Sequence, residues 1–396
     1  MEMNKEINDF IEENINERID KVVLKIRNQF DFDPEFIINQ INGRKKIFGK
    51  IPSWSKTEGL VFPNIVSLEQ CSSELTGKYK ASLINGDRLI DMTGGFGVDS
   101  YFFSKSFKRI YYIEKNKELV ECVANNFKQL KADHIAVHIG DGVEFLEDFT
   151  GTVDWIFIDP ARRGDQNKKV FLFEDIEPDI TQIKDLLFEK SADVLVKLSP
   201  MLDLTQAMKQ MAEIKRVFIV SVKNECKELI IHLSNKAVPS DIPIVCVDIK
   251  GEDEIDEFMS SSEKRKSENV ALTLSDPLDY IYEPNKSIMK GGVQNDLAAQ
   301  MGLSKIGVNS NFFTSADEMI TFPGRVFRKV SVIQLRKKLI KKFLVDGKAN
   351  IIARNFPLKA SQIYDKFRIK PGGKYYFLAT KLRDGSNVLM VCERLK

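Results

Sequence analysis

Short apolar runs alternate with amphipathic segments from Asp87 to about residue 222, and this rhythm constrains the fold more than any other feature. The runs read RLID, RIYYIE, IAVHIGD, VDWIFIDP, DVLVKLSP and RVFIVSV. Strands that alternate with helices over such a length predict a parallel sheet covered by helices. We therefore expect an α/β fold with a doubly wound sheet in residues 86–236.

Three further regions surround this predicted sheet. Residues 1–85 have apolar positions at helical spacing and predict an N-terminal helical region. Residues 237–283 predict a small module that carries a hairpin, and residues 284–396 predict a compact α+β unit. A chain of 396 residues is too long for one hydrophobic core, which agrees with a division into several domains.

Composition excludes several classes of protein. Apolar residues make up 43% of the chain and charged residues 29%, which is ordinary for a globular protein, and no apolar run approaches the roughly 20 residues of a membrane span. The five cysteines are scattered without CxxC spacing, which argues against a disulfide framework or a zinc site. The acidic, helical start is not typical of a signal peptide. We expect a cytoplasmic protein without a membrane or metal partner; the oligomeric state stays open.

The charge of the chain is distributed very unevenly. Residues 325–396 hold 19 Lys and Arg against 4 Asp and Glu, although the net charge of the whole chain is only +2. A solvated, lysine-rich helix face is one explanation of such a run. The surplus extends over helical and strand segments alike, however, and a basic surface is what a polyphosphate partner requires. We predict that residues 325–396 bind nucleic acid.

A glycine-rich segment follows the first predicted strand. Ligands bind at the carboxyl ends of the strands in open α/β sheets, and glycines let the backbone approach a ligand closely. A nicotinamide fingerprint would need a glycine where Ser100 stands. The acid at the strand end suits a cationic ligand such as an ammonium group instead. Five residues of DMTGGFG are candidate ligand-binding residues: Asp91, Thr93, Gly95, Phe96 and Gly97.

Acidic residues end the next two predicted strands as well. Glu114 lies 23 residues after Asp91, a distance at which an acid accepts bonds from the hydroxyls of a ribose. Asp141 ends the third strand, where it could reach an adenine amino group. Taken singly, each acid could be a surface carboxylate. Ammonium, ribose and adenine in this order predict S-adenosyl-L-methionine as the cofactor.

The same segments resemble a known group of enzymes. LIDMTGGFG, YYIEKN, HIGD and IDPARRG are similar to motifs one to four of class I S-adenosylmethionine-dependent methyltransferases, and SLEQCSSELTGKYKA, KNECKEL and YEPNKSIMKGG resemble a bacterial family of RNA methyltransferases. The resemblance covers nearly the whole chain. It implies a Rossmann-like catalytic domain in residues 86–236, a ferredoxin-like module in residues 237–283 and a THUMP-like, RNA-binding domain in residues 284–396.

The resemblance also indicates where the methyl acceptor would bind. It implies catalytic roles for Asp159, Pro160 and Arg162, with Asp159 also near the cofactor. Enzymes that methylate exocyclic amines usually have a second proline where Ala161 stands, followed by an aromatic residue. RNA 5-methyluridine methyltransferases have DPARxG but use a cysteine after the fifth strand, where this chain has Ser199. The motif therefore leaves the chemistry of the acceptor open.

Other polar residues have two interpretations each. The resemblance implies that Gln70 and Ser73, in EQCSSE, fold over the cofactor and bind its methionine carboxylate, whereas such residues also cap helices. Arg162 and its neighbour Arg163 could bind a substrate phosphate or pair with nearby acids. Cys226 is a remote candidate nucleophile, although a small core cysteine is the simpler reading.

These features favour one function over two alternatives. We expect an S-adenosylmethionine-dependent methyltransferase that modifies a base in structured RNA, either rRNA or tRNA. A small-molecule or protein methyltransferase with a basic tail is the first alternative. A non-catalytic RNA-binding protein that retains the cofactor pocket is the second.

Overall fold

The computed structural model describes residues 5–29, 33–162, 173–266 and 270–396. The described helices are α1 Lys5–Asn14, α2 Ile19–Gln29, α3 Pro34–Lys50, α4 Ile65–Gln70, α5 Glu74–Leu83, α6 Val98–Phe103, α7 Lys117–Gln129, α8 Gly142–Asp148, α9 Ile180–Lys190, α10 Leu204–Gln210, α11 Lys286–Gly291, α12 Gln294–Gln300, α13 Lys337–Lys341 and α14 Ala360–Phe367.

The described strands are β1 Gly86–Asp91, β2 Phe107–Glu114, β3 Ile135–Ile139, β4 Trp155–Ile158, β5 Ala161–Arg162, β6 Ile176–Glu177, β7 Asp193–Leu198, β8 Ile214–Val222, β9 Glu225–Ser234, β10 Pro243–Ile249, β11 Ile255–Ser261, β12 Tyr280–Pro284, β13 Ser304–Lys305, β14 Phe313–Ser315, β15 Gly324–Gln334, β16 Asn350–Ala353, β17 Tyr375–Lys381 and β18 Asn387–Arg394. The chain divides into two compact units, the first with residues 1–215 and 229–238, the second with residues 216–228 and 239–396.

The first unit begins with the predicted helical region. Asp33 caps α3 by accepting the Glu35 N–H at 3.0 Å, and Pro34 occupies the first helical position, where its missing N–H costs nothing. Buried apolar side chains at helical spacing join α1, α2 and α3; they are Ile7, Phe10, Ile11, Val22, Ile26, Ile37 and Ile41. The expected N-terminal helical region is therefore confirmed.

The sheet of the first unit is doubly wound, as predicted. Its strands lie in the order β9-β7-β4-β1-β2-β3, with parallel pairs from β7 to β3 and an antiparallel pair between β7 and β9. Leu89 and Ile90 of the central strand β1 are fully buried, which explains its apolar sequence. The strand order reverses between β1 and β4, and ligands bind at such a switch point in open α/β sheets.

The second unit contains strand pairs and a larger sheet. Strand β10 pairs in parallel with β8 and antiparallel with β11. A seven-stranded sheet follows in the order β13-β14-β12-β15-β18-β17-β16, mostly antiparallel, with one parallel pair between β16 and β17. Ile340 of α13 and Ile363 of α14 are buried in a core cluster with residues of β15–β18. The expected α+β character of the C-terminal part is confirmed.

The described part of the chain contains neither a helix that could span a membrane nor a cluster of metal ligands. None of its helices is both long and apolar enough to cross a membrane. Among the same residues, no group of three or more His, Cys, Asp and Glu side chains could hold a metal ion.

Candidate active site

The loop after β1 requires glycine for steric reasons. Gly95 and Gly97 have φ angles of +55° and +75°, which favour glycine. A Cβ at Gly94 would lie 2.1 Å from the ring of Tyr112, and a Cβ at Gly97 would lie 2.7 Å from the ring of Phe127. The Tyr112 hydroxyl donates to the Gly95 carbonyl at 2.5 Å. The loop is therefore pressed against β2 and α7 in one conformation.

Asp91 lies beneath this loop and not on its surface. Only 1% of Asp91 is exposed, and its carboxylate accepts bonds from the Ser100 hydroxyl at 2.5 Å and from the Thr93 N–H at 3.1 Å. Burial raises the pKa of Asp91 to about 7. Ser100 stands where a nicotinamide fingerprint has glycine, and its hydroxyl ties α6 to the end of β1. The predicted role of Asp91 toward an ammonium group stays a prediction.

Glu114 is fixed by backbone groups at the end of β2. One carboxylate oxygen accepts the Gly95 N–H at 2.9 Å and the other accepts the Asn116 N–H at 2.8 Å. Because a carboxylate oxygen has two acceptor positions, each oxygen can still accept a bond from a ligand hydroxyl. The geometry suits the predicted ribose contact, which stays a prediction.

Asp141 has local partners that compete with its predicted role. It caps α8 by accepting the N–H groups of Val143 at 2.6 Å and Glu144 at 3.2 Å, and Lys115 approaches its second oxygen at 2.6 Å. Burial alone would raise the pKa of Asp141, but the bonds from Lys115 and the two N–H groups lower it. The carboxylate is thus charged and oriented at the end of β3, and its contact with adenine stays a prediction.

The candidate residues Phe96, Gln70 and Ser73 lie in three different environments. Phe96 is buried and packs edge-on against Trp54, with ring centroids 5.4 Å apart, so it anchors the loop. Gln70 is exposed at the end of α4. Ser73 caps α5 by accepting the Thr76 N–H at 3.2 Å, and the Thr76 hydroxyl accepts the Ser73 N–H at 3.1 Å. The capping alternative therefore describes Ser73, while its role toward a cofactor stays a prediction.

Asp159 and Thr93 join the ends of β4 and β1. The Asp159 N–H donates to the Thr93 hydroxyl at 2.6 Å. This bond fixes the acceptor corner, residues 159–162 where the methyl acceptor is predicted to bind, to the glycine loop of residues 92–97. The Asp159 side chain is 35% exposed and its carboxylate accepts a bond from Lys197, on β7, at 2.5 Å. Pro160 is half-buried beside it. These contacts bring Asp91, Thr93 and Asp159 together at the switch point of the sheet.

The remaining candidates for binding the acceptor or for catalysis are two arginines, a serine and a cysteine. Arg162 belongs to β5, which pairs with β6, but its side chain and all of Arg163 lie outside the described residues. Ser199 accepts the Met201 N–H at 3.2 Å. Cys226 is half-buried, and burial raises the pKa of its thiol to about 11, so the thiol stays protonated at neutral pH.

A buried set of charges next to Asp159 was not anticipated from the sequence. The fully buried Lys80 on α5 lies 3.2 Å from Asp99 on α6, and Lys197 lies 3.5 Å from the same carboxylate. The Ser72 hydroxyl donates to Asp99 at 2.7 Å and accepts bonds from Lys80 and Lys197 at 3.1 and 3.2 Å. Burial alone would raise the pKa of Asp99, but the two lysines hold it below its usual value. Two cations and two carboxylates therefore balance each other around Ser72.

One sequence signal could have revealed this cluster. Lys197 stands inside DVLVKL, an apolar strand in which a lysine must find a partner when it is buried. Lys80 and Asp99 give no such signal, because they lie on predicted helices, where charged residues are common.

Comparison with known proteins assigns three segments of the chain to families. A family model described as RNA cap guanine-N2 methyltransferase matches residues 86–254. A ferredoxin-like domain model matches residues 280–323, and a THUMP domain-like model matches residues 324–394. The domain boundaries drawn from the sequence stay predictions. A search of curated proteins found no match.

Solved structures give matches of very different extent. The crystal structure of a putative methyltransferase from Porphyromonas gingivalis W83 is 28% identical, covers 100% of both chains and has a TM-score of 0.88. A putative RNA methyltransferase from Pyrococcus horikoshii is 20% identical over 46% of this chain and 95% of its own, with a TM-score of 0.33. A tRNA m1G37 methyltransferase from M. jannaschii is 17% identical over 42% of this chain and 52% of its own, with a TM-score of 0.30. The full-length match and the family models confirm the resemblance: the chain is a methyltransferase that carries a ferredoxin-like and a THUMP-like domain.

Proposed function

We propose that this methyltransferase transfers a methyl group from S-adenosyl-L-methionine to a base in structured RNA. The observation that carries the proposal is the hydrogen bond from the Asp159 N–H to the Thr93 hydroxyl. It fixes the acceptor corner after β4 to the glycine loop after β1. Donor and acceptor can thus be held in a defined geometry, which is the main requirement of methyl transfer from an activated donor.

The residues at the strand ends fit S-adenosylmethionine. A Cβ at Gly94 or Gly97 would meet the ring of Tyr112 or Phe127, so the loop is held tightly against β2 and α7. Glu114 retains acceptor positions for the ribose hydroxyls. The Asp91 carboxyl lies at the end of β1, where the ammonium group of a bound cofactor would favour its ionised form. The sulfonium of the bound cofactor supplies an activated methyl group, so the chain needs no metal for this step.

Asp159 and Lys197 would prepare the acceptor. The Asp159 carboxylate can accept a bond from an N–H of the target base, while Lys197 fixes the orientation of that carboxylate from the buried side. Pro160 stiffens the backbone next to it. We propose the exocyclic amine of guanine as the first acceptor to test, because guanine N2 is the atom named by the matched family and it bears N–H groups that a carboxylate can accept.

The THUMP-like domain supplies charge for RNA. Four lysines of residues 337–342 are exposed, and they belong to the region with the basic surplus. Such side chains bind phosphates without reading a sequence. We propose that residues 325–396 hold a folded RNA while one nucleotide is presented to Asp159.

The experiment that tests the function uses the full chain and labelled S-adenosylmethionine. Total RNA from a strain that lacks the gene is incubated with the protein, digested to nucleosides and separated by mass spectrometry. We expect label in one modified nucleoside, with N2-methylguanosine as the first candidate. Label in protein or small molecules but not in RNA would contradict the proposed substrate, provided that isothermal titration shows intact binding of S-adenosylhomocysteine.

A further inference from the structure

A cavity of about 470 Å³ lies within the second unit. It is lined by Arg325 at the start of β15, by β16, and by the residues between β16 and α14. Among the lining residues that the structure describes, Arg325, Arg354 and Lys359 are cationic and none is acidic. This volume is in the range of small-molecule and nucleotide sites.

One buried acid orients the two arginines. Glu283 on β12 is only 3% exposed and lies 2.6 Å from Arg325 and 2.8 Å from Arg354. The arginine side chains themselves remain 23% and 28% exposed at the cavity. A single carboxylate cannot neutralise two guanidinium groups, so the pair presents a net positive charge with a fixed geometry.

Further positive charge surrounds this arrangement. Lys286, at the start of α11, is half-buried; burial first and then repulsion from Arg354 lower its pKa. Lys359 is exposed next to the cavity, and Ala360 begins the eight-residue helix α14 at its wall. The N-terminus of a helix adds partial positive charge. The site therefore collects cations that an anionic ligand would stabilise.

Apolar residues complete the cavity wall. Ile352 is buried, while Phe356 and Leu358 are half-buried, and all three line the cavity beside the cations. A wall of this kind suits the flat, weakly polar surface of a nucleoside. Cations next to an apolar wall fit a phosphorylated nucleotide better than a bare anion.

We propose that this cavity binds the terminal phosphate of an RNA strand together with its first nucleoside. The backbone phosphates of RNA carry one negative charge each, whereas a terminal phosphomonoester carries about two near neutral pH. The charge of the terminal phosphate matches the excess of cations more closely than that of an internal phosphate. The end of a strand can also enter the cavity, whereas a continuous strand would have to pass across its opening. The proposal rests on RNA being the substrate of the proposed function. It also gives a role to Glu283 and Lys286 of the segment YEPNKSIMKGG.

The test compares RNA oligonucleotides of one sequence that differ only at their ends. Fluorescence anisotropy with the full chain measures the affinity of strands with a 5′-phosphate, a 3′-phosphate or hydroxyls at both ends. We expect one phosphorylated end to bind about tenfold more tightly than the hydroxyl form, as one or two charge-assisted bonds would give. Equal affinity for all three strands would overturn the proposal. If adenosine or guanosine monophosphate competed as well as the phosphorylated strand, the ligand would be a free nucleotide and the RNA end would be ruled out.

Two variants and a matched control assign the preference to the cavity. Lys359→Gln removes an exposed cation and should lower the preference for the phosphorylated end several-fold without affecting folding. Arg354→Gln should abolish the preference, and Arg354→Lys should restore part of it. Lys338→Gln removes the same charge from α13, outside the cavity lining. It should weaken binding of all three strands alike and leave the ratio between the phosphorylated and hydroxyl ends unchanged. A Lys338→Gln variant that lost the preference equally would overturn the assignment. Methylation of an internal nucleotide is measured separately, so loss of end recognition and loss of methyl transfer remain distinguishable.

Discussion

Asp91 shows how one buried carboxyl links the stability of the fold to the proposed cofactor site. Burial raises its pKa from 3.8 to about 7, so the folded chain holds a proton that the unfolded chain releases between these pH values. The free energy of unfolding should therefore fall as the pH rises from about 4 to 7, by up to about 4 kcal/mol from this group.

Replacing this carboxyl should flatten the pH dependence. Asp91→Asn removes the titrating group, so between pH 5 and pH 8 the variant should lose less stability than the wild type, by roughly 2 to 3 kcal/mol. Urea unfolding at both pH values measures the difference. Asp133→Asn, at an exposed carboxyl, serves as the control and should follow the wild type. Identical pH profiles for the Asp91 variant and the wild type would contradict the raised pKa of the buried Asp91 carboxyl.

Lys197 should matter to methyl transfer although it need not touch the substrate. Lys197→Met leaves Asp159 without its cation and Asp99 with Lys80 alone. We expect kcat to fall by about two orders of magnitude, as is typical when an enzyme loses one group that stabilises charge in its active site. The affinity for S-adenosylhomocysteine should stay within about threefold of that of the wild type. Lys197→Arg should recover part of the activity.

A second buried lysine controls for the loss of any buried cation. Lys190 on α9 is similarly buried and pairs with the exposed Glu189. Lys190→Met should leave kcat close to that of the wild type. If both methionine variants lost activity to the same degree, the effect of Lys197 would be a general one on stability and not a contribution to the site.

At the scale of elements, the loop between β1 and α6 makes the clearest prediction. Gly94→Ala would place a methyl group 2.1 Å from the ring of Tyr112, so the loop or β2 must shift. We expect a cost of about 1 to 3 kcal/mol in the free energy of unfolding and loss of cofactor binding. Thermal unfolding and titration with S-adenosylhomocysteine measure both. Gly49→Ala, at a helical glycine with open space around it, should leave binding intact; a Gly94→Ala variant with normal affinity would refute the fixed loop.

The elements and the strand-end acids follow from the sequence, but the cluster around Ser72 does not. Asp91, Glu114 and Asp159 could be found because each ends an apolar run, and parallel strands end at one edge of the sheet. The Ser72 contact with Lys197 joins residues 125 positions apart, which periodicity does not encode. Ser73 illustrates a second reason: its hydroxyl suits a ligand and a helix cap equally, and the Thr76 contact shows the cap but does not test the contact with a ligand.

At the scale of the whole molecule, the charge distribution predicts how RNA binds. Affinity for structured RNA should fall steeply as salt rises, because each neutralised phosphate releases counterions. A variant with Lys337→Gln, Lys338→Gln and Lys341→Gln should weaken binding to different RNAs alike and reduce the salt slope by up to about 3. The affinity for RNA is measured at several salt concentrations between about 50 and 200 mM to test this salt dependence. A salt-independent affinity would contradict an electrostatic role for the THUMP-like domain.

Methyl transfer by an Asp159→Asn variant tests the central claim most directly. Wild type and variant are compared under single-turnover conditions with labelled S-adenosylmethionine and RNA from a strain lacking the gene, and S-adenosylhomocysteine affinity is measured in the same preparations. We predict that the wild type labels one RNA nucleoside and that the variant loses at least about two orders of magnitude in rate with nearly unchanged affinity for S-adenosylhomocysteine. Equal rates of RNA labelling by the two proteins would contradict the placement of the acceptor at Asp159.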